Sequence, residues 1–235
     1  MLRQILKSLI ELVVAPTCPS CGRPLSEKEG AICVDCRFDL PYTYDSCKRD
    51  NYAFLMLDSF HPVVWAGSYC YYKGKDGFTK LIFAIKYRGQ KHIASHLGRA
   101  FATELVEKGS LPEDVDVVIP VPLHKFRYYW RGYNQSDYIA KAMAEVLGCD
   151  CELECVKRIV NTKSQTSLES RKERIFNTDG IFRVIDGSKL DNRHILIVDD
   201  VLTTGSTIKS LIALIIDSCE GCRISVATLA RTEKH

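Results

Sequence analysis

Residues 194–207 read HILIVDDVLTTGST and combine an apolar run, two adjacent carboxylates and a hydroxyl-rich turn. The run Ile195–Val198 is mostly β-branched, which is typical of a strand buried on both faces. Asp199 and Asp200 follow it directly. Because open α/β sheets bind ligands at the carboxyl ends of their strands, the two aspartates are predicted to lie in a ligand site.

The turn after the aspartates, Thr203–Thr207, consists of hydroxyl residues and one glycine, and an apolar pattern of helical period follows it. Backbone N–H groups and hydroxyls at the start of a helix bind anions, and Gly205 lets the backbone approach closely. Two carboxylates beside such a cradle suit a ribose 5-phosphate, whose hydroxyls meet the acids and whose phosphate meets the loop. The alternative is an ordinary strand–turn–helix in which Thr and Ser only cap the helix.

This stretch resembles the phosphoribosyl pyrophosphate (PRPP) motif of type I phosphoribosyltransferases, in which four apolar, two acidic and two apolar residues precede Thr-Thr-Gly-Ser-Thr. The resemblance implies catalytic roles for Asp199 and Asp200. It also implies that PRPP contacts a continuous run of loop residues, namely Val201, Leu202, Thr203, Thr204, Gly205, Ser206 and Thr207.

Length and charge leave the class of ligand open. The chain has 235 residues, of which 46% are hydrophobic and 26% charged, as in ordinary globular proteins. This length suits one large domain, or one main domain with a small accessory unit. The net charge of +3 is too small to indicate nucleic acid by itself and suits an anionic ligand equally well.

The N-terminal stretch MLRQILKSLIELVVAP has helical apolar spacing, but Arg3, Lys7 and Glu11 interrupt it. It lacks the apolar core of a signal peptide, and no run approaches the ~20 apolar residues of a membrane span. This helix is expected to pack on the protein itself, with a membrane-surface helix as the alternative. With an odd count of 11 cysteines, these features favour the cytoplasm, with membrane association through partners as an alternative.

Two C-x-x-C pairs, Cys18/Cys21 and Cys33/Cys36, are separated by eleven residues. Two such knuckles place four thiolates around one tetrahedral Zn²⁺, and because four sulfurs close the coordination sphere, the site is predicted to be structural. Disulfides or free thiols are the alternative. For the other cysteines the sequence favours small buried residues or plain thiols over a second metal site: Cys47, Cys149, Cys151, Cys155, Cys219 and Cys222.

Residues 115–135 predict a strand, Val115–Ile119, followed by a basic turn, and a helix then runs from Ser136 to Leu147. A cationic turn at the end of a strand suits pyrophosphate, and a solvated basic loop is the alternative. The predicted pyrophosphate residues here are Arg127, Arg131, Gly132, Asn134 and Gln135. The aromatic residues among them are expected to pack, or else to stack nucleic-acid bases: Tyr128, Tyr129, Trp130 and Tyr133.

Two long segments have no clear hydrophobic period. Residues 41–62 are expected to form a linker, and Val63–Tyr72 after them a strand. Residues 159–177 have little apolar content, and loops of this length are usually lids or binding segments. A lid here is expected to close over the phosphates with Lys163, Gln165, Arg171 and Arg174.

Taken together, these segments resemble the ComF/GntX family over nearly the whole chain. The motifs that carry the resemblance are the paired C-x-x-C unit, Lys86-Tyr87-Arg88-Gly89, Val121-Pro122-Leu123-His124, Arg131-Gly132-Tyr133-Asn134-Gln135, the spaced set Gln165, Arg171, Arg174 and Asn177, and the loop Asp199–Thr207. The resemblance implies an α/β fold of the type I phosphoribosyltransferase kind, a parallel sheet flanked by helices, preceded by a small zinc ribbon. Many members carry a further C-x-x-C pair, whereas Cys47 has no partner in sequence.

Membership of that family implies PRPP binding with Mg²⁺ and an association with DNA uptake and competence. The expected division is an N-terminal helix and zinc unit over 1–50 and a phosphoribosyltransferase-like domain over 51–235. Whether the protein catalyses phosphoribosyl transfer stays open, because no segment of the sequence identifies an acceptor base. A salvage enzyme, a PRPP sensor without activity and a factor that binds single-stranded DNA or uptake proteins are the alternatives, and the sequence leaves the oligomeric state undetermined.

Overall fold

The computed structural model describes residues 16–48, 50–74, 76–160 and 180–233, and its centre is a parallel sheet. Five strands lie in the order β1-β7-β6-β2-β3, and two more, β4 and β5, form an antiparallel pair. The strands are β1 Val63–Tyr72, β2 Val117–Pro120, β3 Asp150–Cys151, β4 Val156–Arg158, β5 Phe182–Val184, β6 His194–Leu202 and β7 Arg223–Thr232.

Helices cover both faces of this sheet. They are α1 Val34–Phe38, α2 Tyr52–Leu57, α3 Gly77–Tyr87, α4 Lys91–Glu107, α5 Lys125–Arg131, α6 Gln135–Leu147 and α7 Ser206–Ser218, with 3₁₀ turns at Asp45–Cys47 and Gly187–Lys189. Alternate residues of β6 enter two cores: Leu196 and Val198 pack on the side of α3, α4 and α6, and Ile195 and Ile197 on the side of α7. The predicted α/β class with a parallel sheet buried on both faces is confirmed.

The sheet register brings the ends of β2 and β6 together. Pro120 lies opposite Val198, and the N–H of Val121 donates to the carbonyl of Val198 at 2.8 Å. The strands leave the sheet side by side, so the residues that follow them meet at one edge, where parallel sheets bind ligands. Asp199 and Asp200 lie at this edge, as the sequence predicts.

The predicted linker over 41–62 is wrong, because these residues contain α2 and a 3₁₀ turn. Asn51 caps α2 by accepting from the N–H of Phe54 at 3.0 Å, and its amide donates to the carbonyl of Ala66 at 2.7 Å. Asp45 forms a buried ion pair with Arg231, with 3.0 Å between Oδ2 and Nε. The segment is held by polar contacts to distant strands, which leave no periodic apolar pattern in its sequence.

The predicted basic turn after β2 is also wrong, because most of it forms the helix α5. His124 caps that helix through Nδ1, which accepts from the N–H of Phe126 at 3.2 Å. Gly132, in the left-handed conformation at φ +79°, ends it. None of the residues of α5 is buried, so the helix has no apolar face that its sequence could have revealed.

The described residues contain no helix that combines the length and the apolar character of a membrane span. The predicted N-terminal helix and most of the predicted lid, including Lys163, Gln165, Arg171 and Arg174, lie outside the described residues. The division of the chain near residue 50 stays a prediction.

Candidate functional site

Both carboxylates at the end of β6 are held in place by side chains from α3 and α6. Lys86 Nζ lies 3.0 Å from Asp200 Oδ1, and Gln135 Nε2 donates to Asp200 Oδ2 at 2.6 Å. Asp199 Oδ1 accepts from Ser136 Oγ at 3.0 Å and from the N–H of Asp200 at 2.8 Å. The two carboxylates, called the acid pair below, are therefore held in fixed orientations at the carboxyl-end edge of the sheet.

The surroundings of Asp199 disfavour its charged form. Burial, and then the adjacent charge of Asp200, raise the pKa of Asp199 to about 7, against the opposing effect of Lys86. The pair thus binds a proton readily near neutral pH. Burial and the neighbouring Arg127 lower the pKa of Arg158, while Asp199 opposes this shift. The charge of Arg158 therefore interacts with those of Arg127 and Asp199.

The loop between β6 and α7 has the form of a cradle. Gly205 is its N-cap residue at φ +73°, a conformation that favours glycine, and a Cβ at this position would lie 2.6 Å from Met56 Sδ, so the methionine would have to move. Thr204 Oγ1 donates to Ser206 Oγ at 3.1 Å. Loop residues and the start of α7 line a small cavity of about 30 Å³, comprising Asp199, Val201, Leu202, Thr203, Gly205, Ser206, Thr207 and Ile208.

The predicted pyrophosphate residues divide into two groups. Arg131 hydrogen-bonds to Gln135, which in turn holds Asp200, so these two residues reach the acid pair. Asn134 instead donates to the carbonyl of Val121 at 3.2 Å and to Asp137 Oδ1 at 2.6 Å. Asn134 is buried and Gly132 ends α5, so in this structure both residues stabilise the local backbone conformation.

Two residues of the acid-pair environment were not predicted as site residues. Lys86 lies at the end of α3 and Ser136 at the start of α6, both far from Asp199 in sequence. The Lys86-Tyr87-Arg88-Gly89 string, one of the motifs shared with the ComF/GntX family, was the available signal for Lys86. Ser136 follows Gln135 directly and had no signal of its own.

The four paired cysteines converge as predicted. The sulfurs of Cys18, Cys21, Cys33 and Cys36 all lie within 4.8 Å of one another, the only such metal-binding group among the described residues. Those of Cys21 and Cys33 are 3.7 Å apart, and four Zn–S bonds of about 2.3 Å in a tetrahedron require about 3.8 Å. The N–H of Cys36 donates to Cys33 Sγ at 3.4 Å, and this bond lowers the pKa of Cys33 to about 7. The donor set fits a structural Zn²⁺.

The remaining predicted cysteines do not form a second group among the described residues. Cys155 and Cys219 are buried, Cys222 donates to the carbonyl of Leu190 at 3.1 Å, and Cys47 is exposed. Burial raises the pKa values of Cys155 and Cys219, to about 12 and about 11, which keeps both as thiols at neutral pH.

The aromatic residues around α5 behave in two ways. Tyr133 is buried and its hydroxyl donates to the carbonyl of Ile85. Tyr128, Tyr129 and Trp130 are exposed, so the expected packing of these rings is wrong for three of the four. A cavity of about 780 Å³ lies elsewhere, between the Cys47 turn and residues 108–113, and none of the predicted site residues lines it.

Comparison with known proteins places this geometry in a family. A family model described as a phosphoribosyl transferase domain matches residues 135–235. The DNA utilization protein YhgH of Shigella flexneri is 33% identical over 159 residues, which cover 66% of this chain and 67% of that protein. Competence protein ComFC of Bacillus subtilis is 23% identical over 231 residues, 96% of this chain and 82% of that protein. The chain belongs to the ComF family.

Among solved structures, an adenine phosphoribosyltransferase is similar, with 14% identity, a TM-score of 0.38, and coverage of 66% of this chain and 75% of that one. This chain combines the segment that matches the phosphoribosyl transferase model with a cluster of four cysteines near its N-terminus. The match of the family model begins at Gln135, the residue that holds Asp200.

Proposed function

We propose that this ComF-family chain binds PRPP together with Mg²⁺ at the carboxyl edge of β6. The observation that carries the proposal is the placement of a pre-oriented acid pair beside the cradle at the start of α7. The carboxylates face the vicinal hydroxyls of the ribose, and the cradle of Thr203–Thr207 takes the 5-phosphate through backbone N–H groups and hydroxyls.

The protein residues act by position and charge, and none is needed as a nucleophile. Asp199 and Asp200 stabilise positive charge that develops on the sugar ring when pyrophosphate leaves. Arg127, one of the predicted pyrophosphate residues, neutralises the leaving group together with Arg158, whose charge interacts with those of Arg127 and Asp199.

The acid pair fits a Mg²⁺ ion that enters the site bound to the phosphates of PRPP. Mg²⁺ is usually held by one or two carboxylates together with substrate phosphates, rather than by a cage of protein oxygens. Both oxygens of Asp200 already have partners in Lys86 and Gln135, so Asp199 is the carboxylate better placed to contact the cation. When bound, Mg²⁺ neutralises the charge of the diphosphate.

Calorimetry with PRPP and Mg²⁺ tests the proposal. The double variant Asp199→Asn, Asp200→Asn is expected to lose Mg²⁺-dependent binding, whereas Asp217→Asn, on the exposed side of α7, keeps it. Unchanged affinity in the double variant would refute the assignment. Release of pyrophosphate in the presence of a panel of bases then separates a transferase from a sensor.

A second candidate function rests on a basic cleft that lies beside α5. A cavity of about 550 Å³ carries five cations and only the carboxylates of Asp137 and Glu154, the cations being Lys91, Lys125, Lys141, Lys157 and Arg158. Tyr128 also lines this cleft, and the ring of Tyr129 is 83% exposed. Cations that follow a phosphate backbone, with exposed rings beside them, suit single-stranded DNA. The relatives are named DNA utilization and competence proteins, and these names agree with binding of DNA.

Salt dependence tests the DNA candidate. Affinity for a labelled single strand, measured by fluorescence anisotropy, should fall steeply as salt rises. The logarithm of the binding constant plotted against that of the salt concentration should have a slope of about −0.7 for each phosphate contact. Lys125→Gln and Lys157→Gln should each reduce that slope by about 0.7. Binding that is indifferent to salt and to both variants would rule out this cleft as a DNA surface.

A further inference from the structure

A separate cavity of about 380 Å³ lies between the end of α3 and the face of α5 opposite the basic cleft. We call it the aromatic pocket; its lining residues are Lys86, Tyr87, Phe126, Arg127, Trp130 and Arg131. Helical spacing explains the separation of the two cavities. Lys125, Tyr128 and Gly132 face the basic cleft, whereas the pairs Phe126/Trp130 and Arg127/Arg131, each four residues apart, face the aromatic pocket.

Three rings of the aromatic pocket are open to solvent. Tyr87, Phe126 and Trp130 are 65%, 55% and 74% exposed. Phe126 and Trp130 meet edge to face with 6.1 Å between ring centroids, which leaves ring faces available. Exposed aromatic surface concentrated in a concave site indicates a binding surface, since isolated exposed rings would not line one cavity.

The charges of the pocket are all of one sign. Lys86, Arg127 and Arg131 line it, and none of its lining residues is acidic. The guanidinium of Arg131 lies over the ring of Tyr87, 5.3 Å from its centroid, so it covers one face of that ring and brings its charge among the three rings. A guanidinium binds a carboxylate through two parallel hydrogen bonds.

The pocket opens beside the acid pair. Lys86 Nζ is 3.0 Å from Asp200, and Arg131 is connected to Asp200 through Gln135. A molecule in the pocket would therefore lie next to the sugar that the acid pair is proposed to hold. This proximity distinguishes the pocket from a remote surface patch.

We propose that the aromatic pocket binds the acceptor of phosphoribosyl transfer, and that this acceptor is a planar aromatic ring carrying a carboxylate. The inference rests on the proposed function and specifies its second substrate. A ring nitrogen forms the bond to C1 of the ribose, the C1–oxygen bond breaks, and pyrophosphate leaves with the electron pair. Where that nitrogen carries a proton, the proton passes to water; a pyridine nitrogen carries none, and the product is then a pyridinium cation. Arg131 then serves the acceptor rather than the leaving group.

The volume and chemistry of the pocket favour this occupant over pyrophosphate. About 380 Å³ lies near the lower end of small-molecule sites, which suits one or two fused rings. Pyrophosphate would use the cations but none of the three rings. A neutral base would stack on the rings and could accept hydrogen bonds from the cations, but it would leave their positive charge uncompensated. An aromatic carboxylate uses both.

Two matched probes test the proposal by calorimetry, with and without PRPP and Mg²⁺. Pyridine-3-carboxylate is expected to bind about tenfold more tightly than pyridine-3-carboxamide, which has the same ring without the charge. Arg131→Gln should abolish this preference, a ratio that a general loss of folding would not change selectively. Trp130→Ala should weaken both probes roughly tenfold by removing a stacking ring.

The control variant is Phe38→Ala, which removes an exposed aromatic ring on α1 outside the pocket and should leave both affinities unchanged. Equal affinity for the two probes, or loss of binding in Phe38→Ala, would overturn the proposal. So would competition between the carboxylate probe and a single-stranded oligonucleotide, because it would place nucleic acid in the pocket. Failure of the proposed function appears separately, as absent Mg²⁺-dependent PRPP binding in the wild-type chain.

Discussion

Asp200 is a buried carboxylate whose two oxygens are both engaged, one by Lys86 and one by Gln135. A buried charge without a partner is costly, so the stability of this edge of the sheet depends on Lys86. Lys86→Met should lower the free energy of unfolding by about 2 kcal/mol. This is less than the roughly 3–5 kcal/mol of a fully buried pair, because the Lys86 side chain is 22% exposed and water screens it. Urea unfolding measures the loss.

An exposed ion pair provides the control for Lys86. Arg99 and Glu145 connect α4 and α6 at the surface, and Arg99→Met should cost less than about 1 kcal/mol. Adding Asp200→Asn to Lys86→Met should recover part of the stability, since it removes the unpaired charge. Equal losses in the two single variants would show that Asp200 is not held by Lys86.

Asp137, near the start of α6, makes stability depend on pH. Burial raises its pKa from 3.8 to about 6, against the hydrogen bond from Asn134. Folded Asp137 therefore keeps its proton where the unfolded chain loses it, so its contribution to stability is full below pH 4 and falls as pH rises towards 6. Asp137→Asn should raise the melting temperature at pH 7.5 and much less at pH 5. Exposed Asp217→Asn should shift neither value, and a constant effect of Asp137→Asn across pH would contradict the assignment.

At the scale of elements, the sequence predicted those with one buried face or two. Val63–Tyr72 was predicted with the bounds that the structure has, and the helix from Ser136 to Leu147 begins one residue earlier. Elements that bury few apolar residues were missed. In α5 no residue is buried, and α2 has only six residues, of which Ala53 and Leu57 are buried.

The candidate site was predictable to the same extent. The acid pair and the cradle are contiguous in sequence, so residues 194–207 contain their whole pattern. Lys86, Gln135 and Ser136 reach the acid pair only because α3 and α6 pack against the end of β6, and a contact of this kind leaves no local pattern in sequence. The aromatic pocket depends in addition on which rings of α5 point away from the core.

Helices α4 and α6 pack most closely at Gly98. A Cβ on Gly98 would lie 2.9 Å from the carbonyl oxygen of Ile139 and 3.2 Å from its Cα, both backbone atoms that cannot rotate away. Gly98→Ala should therefore lower the free energy of unfolding by about 1–2 kcal/mol, although alanine alone favours a helix by about 1 kcal/mol. Thr103→Ala, on the exposed side of α4, should change it by only about 0.3 kcal/mol. A more stable Gly98→Ala variant would show that the helices can separate without cost.

At the scale of the whole molecule, α3 spans from the cysteine cluster to the acid pair. At its start, Gly77 lies against Ser20 of the first knuckle, and Lys80 Nζ donates to the Ser20 carbonyl at 3.1 Å. At its end, Lys86 contacts Asp200. Arg231 on β7 ties Asp45, which follows the knuckles, into the sheet. The segment that contains the knuckles and Asp45 thus makes polar contacts with α3 and with β7.

Removal of the metal is therefore expected to affect more than the knuckles. Removal of the cation breaks the four bonds that join the two knuckles, so chelation should lower the melting temperature and speed hydrogen exchange in residues 16–47 and at the start of α3. Cys36→Ser should reproduce both effects and reduce bound zinc well below one ion per chain. Cys47→Ser is the control, since Cys47 lies outside the cluster, and it should keep one zinc and wild-type exchange. If Cys36→Ser keeps a full zinc ion, or if chelation leaves exchange at α3 unchanged, the cluster is not a structural metal site coupled to this helix.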